Sequence, residues 1–111
     1  MQIAHGTVDT LSATAFRKLA QYRYRVFVEQ LGWPMGRADG LELDQFDQDH
    51  TEYVFGVSDE GNVCGCGRLL PTTRPYLLDE VFPYLLDGLP RPRSDEVWEL
   101  SRFSAVDPAV D

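Results

Sequence analysis

The stretch that decides the fold is Glu52-Tyr53-Val54-Phe55-Gly56-Val57-Ser58, Asp59-Glu60-Gly61-Asn62, Val63-Cys64-Gly65-Cys66-Gly67-Arg68-Leu69-Leu70. Two β-prone runs separated by four turn-forming residues predict an antiparallel hairpin. Gly65 and Gly67 inside the second run mark a bulge or a place where another group approaches the backbone closely. Toward the C-terminus, Pro71 to Pro75 reads as a loop, and Leu77 to Phe82 with Tyr84-Leu85-Leu86 predicts a short helix bent at Pro83. Asp87 to Ser94, with Gly88, Pro90 and Pro92, is a second loop before a third strand from Glu96 to Val106. Toward the N-terminus, Ser12 is placed to cap a helix whose stripe is Phe16, Leu19, Ala20, Val26, Phe27 and Leu31, with Gly32 and Pro34 ending it. Gly32 to His50, which also holds Gly36 and Gly40, has no sustained period and reads as a long loop. The sum is a single α+β domain over residues 1–111, with helices packed on a mainly antiparallel sheet. A long β-prone strand closing the sequence needs a neighbour on its other edge, so we expect a fold cut short after its third to fourth strand, with an open edge available for self-association.

The 111 residues hold 18 acidic and 10 basic side chains, a net charge of −8, with 43% hydrophobic and 12% aromatic residues. That composition excludes disorder throughout. The acidic balance argues against nucleic-acid binding, which rests on clustered Lys and Arg, and suits a cationic ligand better. No apolar run is long enough to span a bilayer, and the first residues lack the basic and apolar regions of a signal peptide, so a cytoplasmic location is expected. Cys64 and Cys66, two apart in a strand, are expected on one face as small buried thiols, without disulfide geometry. With only His5 and His50 besides them, no metal site is expected.

Several polar residues stand where apolar ones are expected. Arg23 lies four residues after Leu19 and four before Phe27, on the apolar stripe of the helix. Such an Arg either packs its stem and pairs with a nearby carboxylate, or reaches a polar pocket. Phe27 and Trp33 are core aromatics, or the wall for a flat heterocycle or a cation. Asp44 and Asp47 flank Phe46, which suggests an anchored loop; two carboxylates held at one pocket would attract an amine or sulfonium. On the last strand, simple alternation puts Glu99, Ser101 and Phe103 on one face and Trp98, Leu100 and Arg102 on the other, unless a bulge intervenes. Arg68 is expected on the face of Cys64 and Cys66. Charges at these positions require partners, either an interior ion-pair network without chemistry or a ligand.

In this order the residues resemble the first half of the LuxI-type acyl-homoserine-lactone synthases, the autoinducer synthases. The stretches that carry the resemblance are Arg23-Tyr24-Arg25-Val26-Phe27-Val28-Glu29-Gln30-Leu31-Gly32-Trp33, Glu42-Leu43-Asp44-Gln45-Phe46-Asp47, Gly67-Arg68-Leu69-Leu70-Pro71-Thr72 and Val97-Trp98-Glu99-Leu100-Ser101-Arg102-Phe103. The resemblance implies a fold similar to GCN5-related N-acetyltransferases and, in quorum sensing, the joining of S-adenosylmethionine to a fatty acyl group from an acyl carrier protein or coenzyme A. The amine is acylated first; the methionine carboxylate then closes onto the carbon bearing the sulfonium, releasing 5′-methylthioadenosine and the lactone. S-adenosylmethionine is a substrate there, and no cofactor is implied. Position by position, it assigns Glu99, Asp44 and Ser101 to the catalytic group, with Glu99 as the base acting directly or through water. Arg23, Phe27, Trp33, Asp47, Arg68 and Arg102 would bind substrate: Arg23 or Arg102 the carboxylate, Phe27 and Trp33 the adenine or sulfonium region, while Asp44 holds the ammonium.

Two other readings compete. An N-acetyltransferase using acetyl-coenzyme A shares the strand layout but needs a Gly-rich pyrophosphate loop beyond the last strand. A catalytically inactive binding or oligomerisation module would pair through the open strand edge. The basic residues, nine Arg and one Lys, form no recognisable docking patch for an acidic carrier protein.

Overall fold

A computed structural model describes residues 1–34 and 39–107. Gly36 of the predicted loop and the segment 108–111 lie outside the described residues. The hairpin is as expected: β2 (Glu52–Val57) and β3 (Val63–Pro71) pair antiparallel with Tyr53 opposite Arg68 and Phe55 opposite Cys66. β1 (Gln2–Gly6), a strand the sequence reading missed, adds to β2, and β4 (Trp98–Ser104) adds to β3. The four strands form one antiparallel sheet in the order β1-β2-β3-β4, which leaves β1 and β4 at its edges. The predicted third strand is therefore the fourth, and shorter than the Glu96 to Val106 expected.

α1 (Ala13–Arg23) begins at Ser12, whose Oγ accepts the Ala15 N–H at 3.0 Å, as a cap should. It does not run unbroken to Leu31. From Tyr24 to Gln30 it continues as a π-helix, and the Leu31 N–H reaches back five residues to the Val26 carbonyl. The extra residue per turn keeps Val26 and Phe27 inward after Leu19, Ala20, Tyr22 and Arg23. Leu19, Tyr22, Val26 and Phe27 pack on Tyr53, Phe55, Val63 and Cys66, with Phe16 edge-on to the Tyr53 ring. Phe46 anchors the long loop by packing with Leu70 and Tyr76.

α2 (Leu77–Glu80) is a single turn, followed by a 3-10 turn at Pro83–Leu86, so Pro83 divides the predicted helix. Its Asp79 is bound by Arg91 Nη1 at 2.6 Å and Arg93 Nη2 at 3.4 Å, which ties the second loop to α2.

Two bulges correct the facing expected from alternation. Between β2 and β3 the register slips at Gly56/Val57, so Val63 and Cys66 both turn to the helix-covered core. A Cβ at Gly56 would lie 3.5 Å from Cys64 Sγ, which puts Cys64 on the opposite face. Cys64 and Cys66 therefore do not share a face, and Arg68 shares one with Cys66 alone. Between β3 and β4 the register slips again between Cys66 and Arg68, and Arg102 takes a left-handed φ of 53°. The bulge brings Arg102 to the helix side with Ser101 and turns Phe103 to the open side with Leu100, beside Gly67. Gly65 has its close neighbour as expected, since a Cβ there would sit 3.2 Å from the Ser104 carbonyl oxygen. The open face carries exposed Ile3, Val54, Leu100 and Phe103. No described helix is long and apolar enough to cross a membrane.

Candidate active site

Under the long loop, three guanidiniums meet three carboxylates. Arg23 arrives from the last turn of α1, Arg68 from β3 and Arg102 from the β4 bulge; Glu42, Asp44 and Asp47 come from the loop. Arg23 and Arg68 are each 1% exposed and Glu42 is fully buried. Unpaired, each such charge would cost several kcal/mol, so the three-to-three balance is what allows the cluster to exist.

Arg23 donates Nε to Glu42 at 3.1 Å and its two terminal nitrogens to Asp47 at 2.7 and 3.0 Å. Arg68 donates Nη1 to Asp44 at 2.6 Å and to Asp47 at 3.1 Å, and Nε to Ser101 Oγ at 3.0 Å. Arg102 donates Nε to Glu42 at 2.6 Å and Nη2 to Asp44 at 3.0 Å. Asp47 is the hub, because Tyr53 Oη at 2.6 Å and the Asp44 N–H at 2.8 Å also donate to it. Burial pushes its carboxyl upward, but the Arg23 hydrogen bonds and charge, helped by Arg68 and Tyr53, outweigh this and hold it well below the usual carboxylate range. Burial likewise works against the Arg23 charge, and Asp47 with Glu42 more than compensates, so Arg23 stays firmly protonated. Tyr53 is pushed far up by burial and by the Asp47 charge, which fixes it as a donor.

Above this floor lies a cleft of about 530 Å³, lined on its polar side by Asp44, Ser101 and Arg102 and on its apolar side by Trp33, Phe46, Leu77, Val81 and Phe82. The Trp33 ring covers the Arg102 guanidinium at 4.8 Å, and Phe27 backs Trp33 with ring centroids 4.9 Å apart. Glu99 does not line the cleft; its two oxygens accept the Leu77 and Leu78 N–H groups at 2.9 and 2.8 Å. Each oxygen keeps a second lone pair.

The nine residues singled out from sequence thus divide. Trp33, Asp44, Ser101 and Arg102 line the cleft; Arg68, Arg23 and Asp47 form the layer beneath it; Phe27 supports Trp33; Glu99 caps the helix that makes the apolar wall. Sequence reasoning missed Glu42 as a ligand of two arginines, although an acid between Leu41 and Leu43 in a buried loop was the available signal. It also missed Tyr53 and the wall residues Leu77, Val81 and Phe82. Among the described residues no group of three or more His, Cys, Asp or Glu could hold a metal ion.

The autoinducer synthase family model matches residues 8–110. The chain is 53% identical over 107 residues to the acyl-homoserine-lactone synthase of Acinetobacter nosocomialis, covering 96% of this chain and 58% of that protein. It is 60% identical over 89 residues to the acyl-homoserine-lactone synthase of Ralstonia solanacearum, covering 78% and 44%. Among solved structures it superposes on TofI in a ternary complex with an inhibitor and MTA, with a TM-score of 0.85, 55% identity and coverage of 95% and 57%. It also superposes on BjaI, a CoA-dependent acyl-homoserine lactone synthase, with SAM and isopentyl-CoA, with a TM-score of 0.86, 31% identity and coverage of 98% and 53%. The chain spans about half the length of the relatives it matches. Motif residues gathered at one cleft and in the layer beneath it, and a family match that takes in α1 and the three strands β2, β3 and β4, lead to the same conclusion: the chain belongs to the autoinducer synthase family.

Proposed function

We propose that this chain forms the S-adenosylmethionine-binding part of an acyl-homoserine-lactone synthase, with S-adenosylmethionine as substrate and an acyl carrier protein or acyl-coenzyme A as donor. The observation that carries the reading is the cleft itself, an apolar wall of Trp33, Leu77, Val81 and Phe82 facing the carboxylate of Asp44. A ligand that is flat and apolar at one end and zwitterionic and cationic at the other fits that division. Asp44, on the cleft surface, holds the ammonium, and Trp33 offers its ring to the adenine or sulfonium region. The amine must lose a proton before it attacks the acyl carbonyl. Glu99 does not line the cleft, and with a lone pair remaining on each oxygen it takes that proton through water. Relatives whose structures hold MTA or SAM support this reading over an N-acetyltransferase or an inactive module.

Calorimetric titration of the folded chain with S-adenosylmethionine, 5′-methylthioadenosine and acetyl-coenzyme A tests it. Saturable heats with the two adenosyl ligands are expected; saturation by acetyl-coenzyme A alone, or by none of the three, refutes the reading.

A further inference from the structure

The apolar wall of the cleft stands on a helical turn that is anchored at one end only by packing. α2 is four residues long, too short to hold its shape alone in water. Its first half is fixed: Tyr76 packs with Phe46 and Leu70, Leu77 and Leu78 lean on that cluster, and Glu99 accepts their N–H groups. Its far end is not. Val81 and Phe82, which line the cleft, are 43% and 37% exposed, belong to neither core cluster, and lead into the exposed Tyr84 and Leu85. Between the two ends stands Asp79, buried at 8% exposure and bound from outside by Arg91 and Arg93, whose side chains are 58% and 61% exposed. Burying that carboxylate is costly unless it is paired, so its charge draws the loop of the two arginines down onto α2. The loop is in turn tied to its neighbours. Tyr76 Oη donates to the Pro92 carbonyl, and Thr72 Oγ1, just past β3, accepts the Ser94 N–H at 2.9 Å and donates to the Val97 carbonyl at 2.8 Å.

We propose that Arg91, Pro92 and Arg93 form a strap across α2, buckled on Asp79, that positions Val81 and Phe82 and thereby sets how tightly the cleft holds the flat end of its ligand. The inference rests on the reading of the cleft as the adenosyl site. Neither Asp79 nor the two arginines line the cleft, so Asp79 is a positioning residue that acts through the wall. With the buckle open the wall spends part of its time displaced, and the apparent affinity falls by the fraction of time it is in place. Because both arginines face solvent, salt weakens the buckle.

The test titrates 5′-methylthioadenosine, which is uncharged at neutral pH, into wild type and Asp79→Asn at low and high salt. At about 0.1 M salt the wild-type chain should bind about three- to fivefold more tightly than the variant. At about 1 M, where the Debye length shrinks from about 10 to 3 Å, that ratio should fall by half or more. Taking the ratio removes every salt effect the two chains share. Arg91→Gln should weaken binding in the same direction, and Arg91→Lys, which keeps the charge, should restore most of it. Without ligand, the Val81 and Phe82 amides, which donate to the Leu77 carbonyl at 2.8 and 3.0 Å, should exchange with solvent faster in Asp79→Asn, with the β2–β3 amides unchanged. Equal affinities at low salt, a ratio that salt does not move, or unchanged exchange at Val81 and Phe82 overturns the strap. A purely structural Asp79 would lower the unfolding midpoint and leave the salt-dependent ratio at one. Binding of 5′-methylthioadenosine by none of these chains refutes the adenosyl reading and the affinity role with it, while the exchange rates still decide whether the strap holds the wall.

Discussion

Asp47→Asn is the sharpest test of the buried layer. Asp47 Oδ1 receives Arg23 Nη1 and Tyr53 Oη; Oδ2 receives Arg23 Nη2, the Asp44 N–H and Arg68 Nη1. An asparagine of the same shape must turn its amide N–H₂ toward one of these sets. Placed at Oδ2 it faces three donors. Placed at Oδ1 it can give a proton to Tyr53, whose hydroxyl rotates to accept, but it still opposes Arg23 Nη1. Every arrangement leaves at least one donor of a charged, 1%-exposed guanidinium unsatisfied, and it leaves three guanidiniums facing two carboxylates in the cluster. Breaking a buried ion pair by removing one partner costs about 3–5 kcal/mol. For a chain of this size that is a large fraction of a total of roughly 5–15 kcal/mol. At about 4 °C per kcal/mol it lowers Tm by about 12–20 °C. Urea unfolding followed by far-UV circular dichroism measures the loss. Asp44→Asn is the control, since Asp44 keeps 15% of its side-chain surface in solvent at the cleft and should cost about 1–2 kcal/mol. A loss below about 1 kcal/mol for Asp47→Asn would refute the reasoning, because it would mean that water or rearrangement replaces the hub.

The same hub sets an acid limit. The Asp47 carboxyl is held below its unfolded value of about 3.9, so the unfolded chain binds the proton first, and the stability this group contributes is full above about pH 4 and lost as pH falls toward its folded value. Unfolding midpoints measured from pH 6 down to 2.5 should fall steeply below about pH 4 in the wild type and much less in Asp47→Asn; parallel curves would show that other groups set the limit. The thiols should separate as well. Cys66 is buried, hydrogen-bonds to the Arg102 carbonyl, and is pushed up to about 11, chiefly by burial, whereas Cys64 is half-buried on the open face. A disulfide reagent at pH 8 should therefore modify one thiol quickly in the native chain and both after unfolding, with Cys64→Ser abolishing the fast phase.

How much of this was legible follows from where alternation and periodicity carry information. The β2–β3 hairpin was, because its turn chemistry and apolar runs are local; the predicted Glu52–Ser58 and Val63–Leu70 differ from the observed strands by one residue each. The Ser12 cap and the inward Arg23 were legible for the same reason. β1 was not, because a five-residue edge strand with exposed Gln2, Ile3 and His5 lacks the composition of a buried one. The π-helical continuation was not, since one stripe at three-and-four spacing fits both helix types over seven residues. The bulges cost most at the site. Alternation cannot say where an extra residue enters, so Arg102 was expected beside Leu100, when the left-handed turn at that residue carries its guanidinium to Glu42 and Asp44. Nor does a string of loop acids say which are buried. Asp47 and Glu42 hold the arginines, whereas Asp49 is exposed and pairs with His50, and that difference is made by Phe46 pinning the loop under Leu70 and Tyr76.

The central claim is that the cleft between the Trp33 wall and the Asp44 floor is the adenosyl site. The most direct measurement is amide chemical-shift mapping of the isotopically labelled chain during titration with 5′-methylthioadenosine. Saturable shifts concentrated at Trp33, Phe46, Leu77, Val81, Phe82 and Ser101 are predicted. Saturable shifts confined to the open face around Ile3, Val54 and Phe103, with the cleft residues unmoved, would contradict the account.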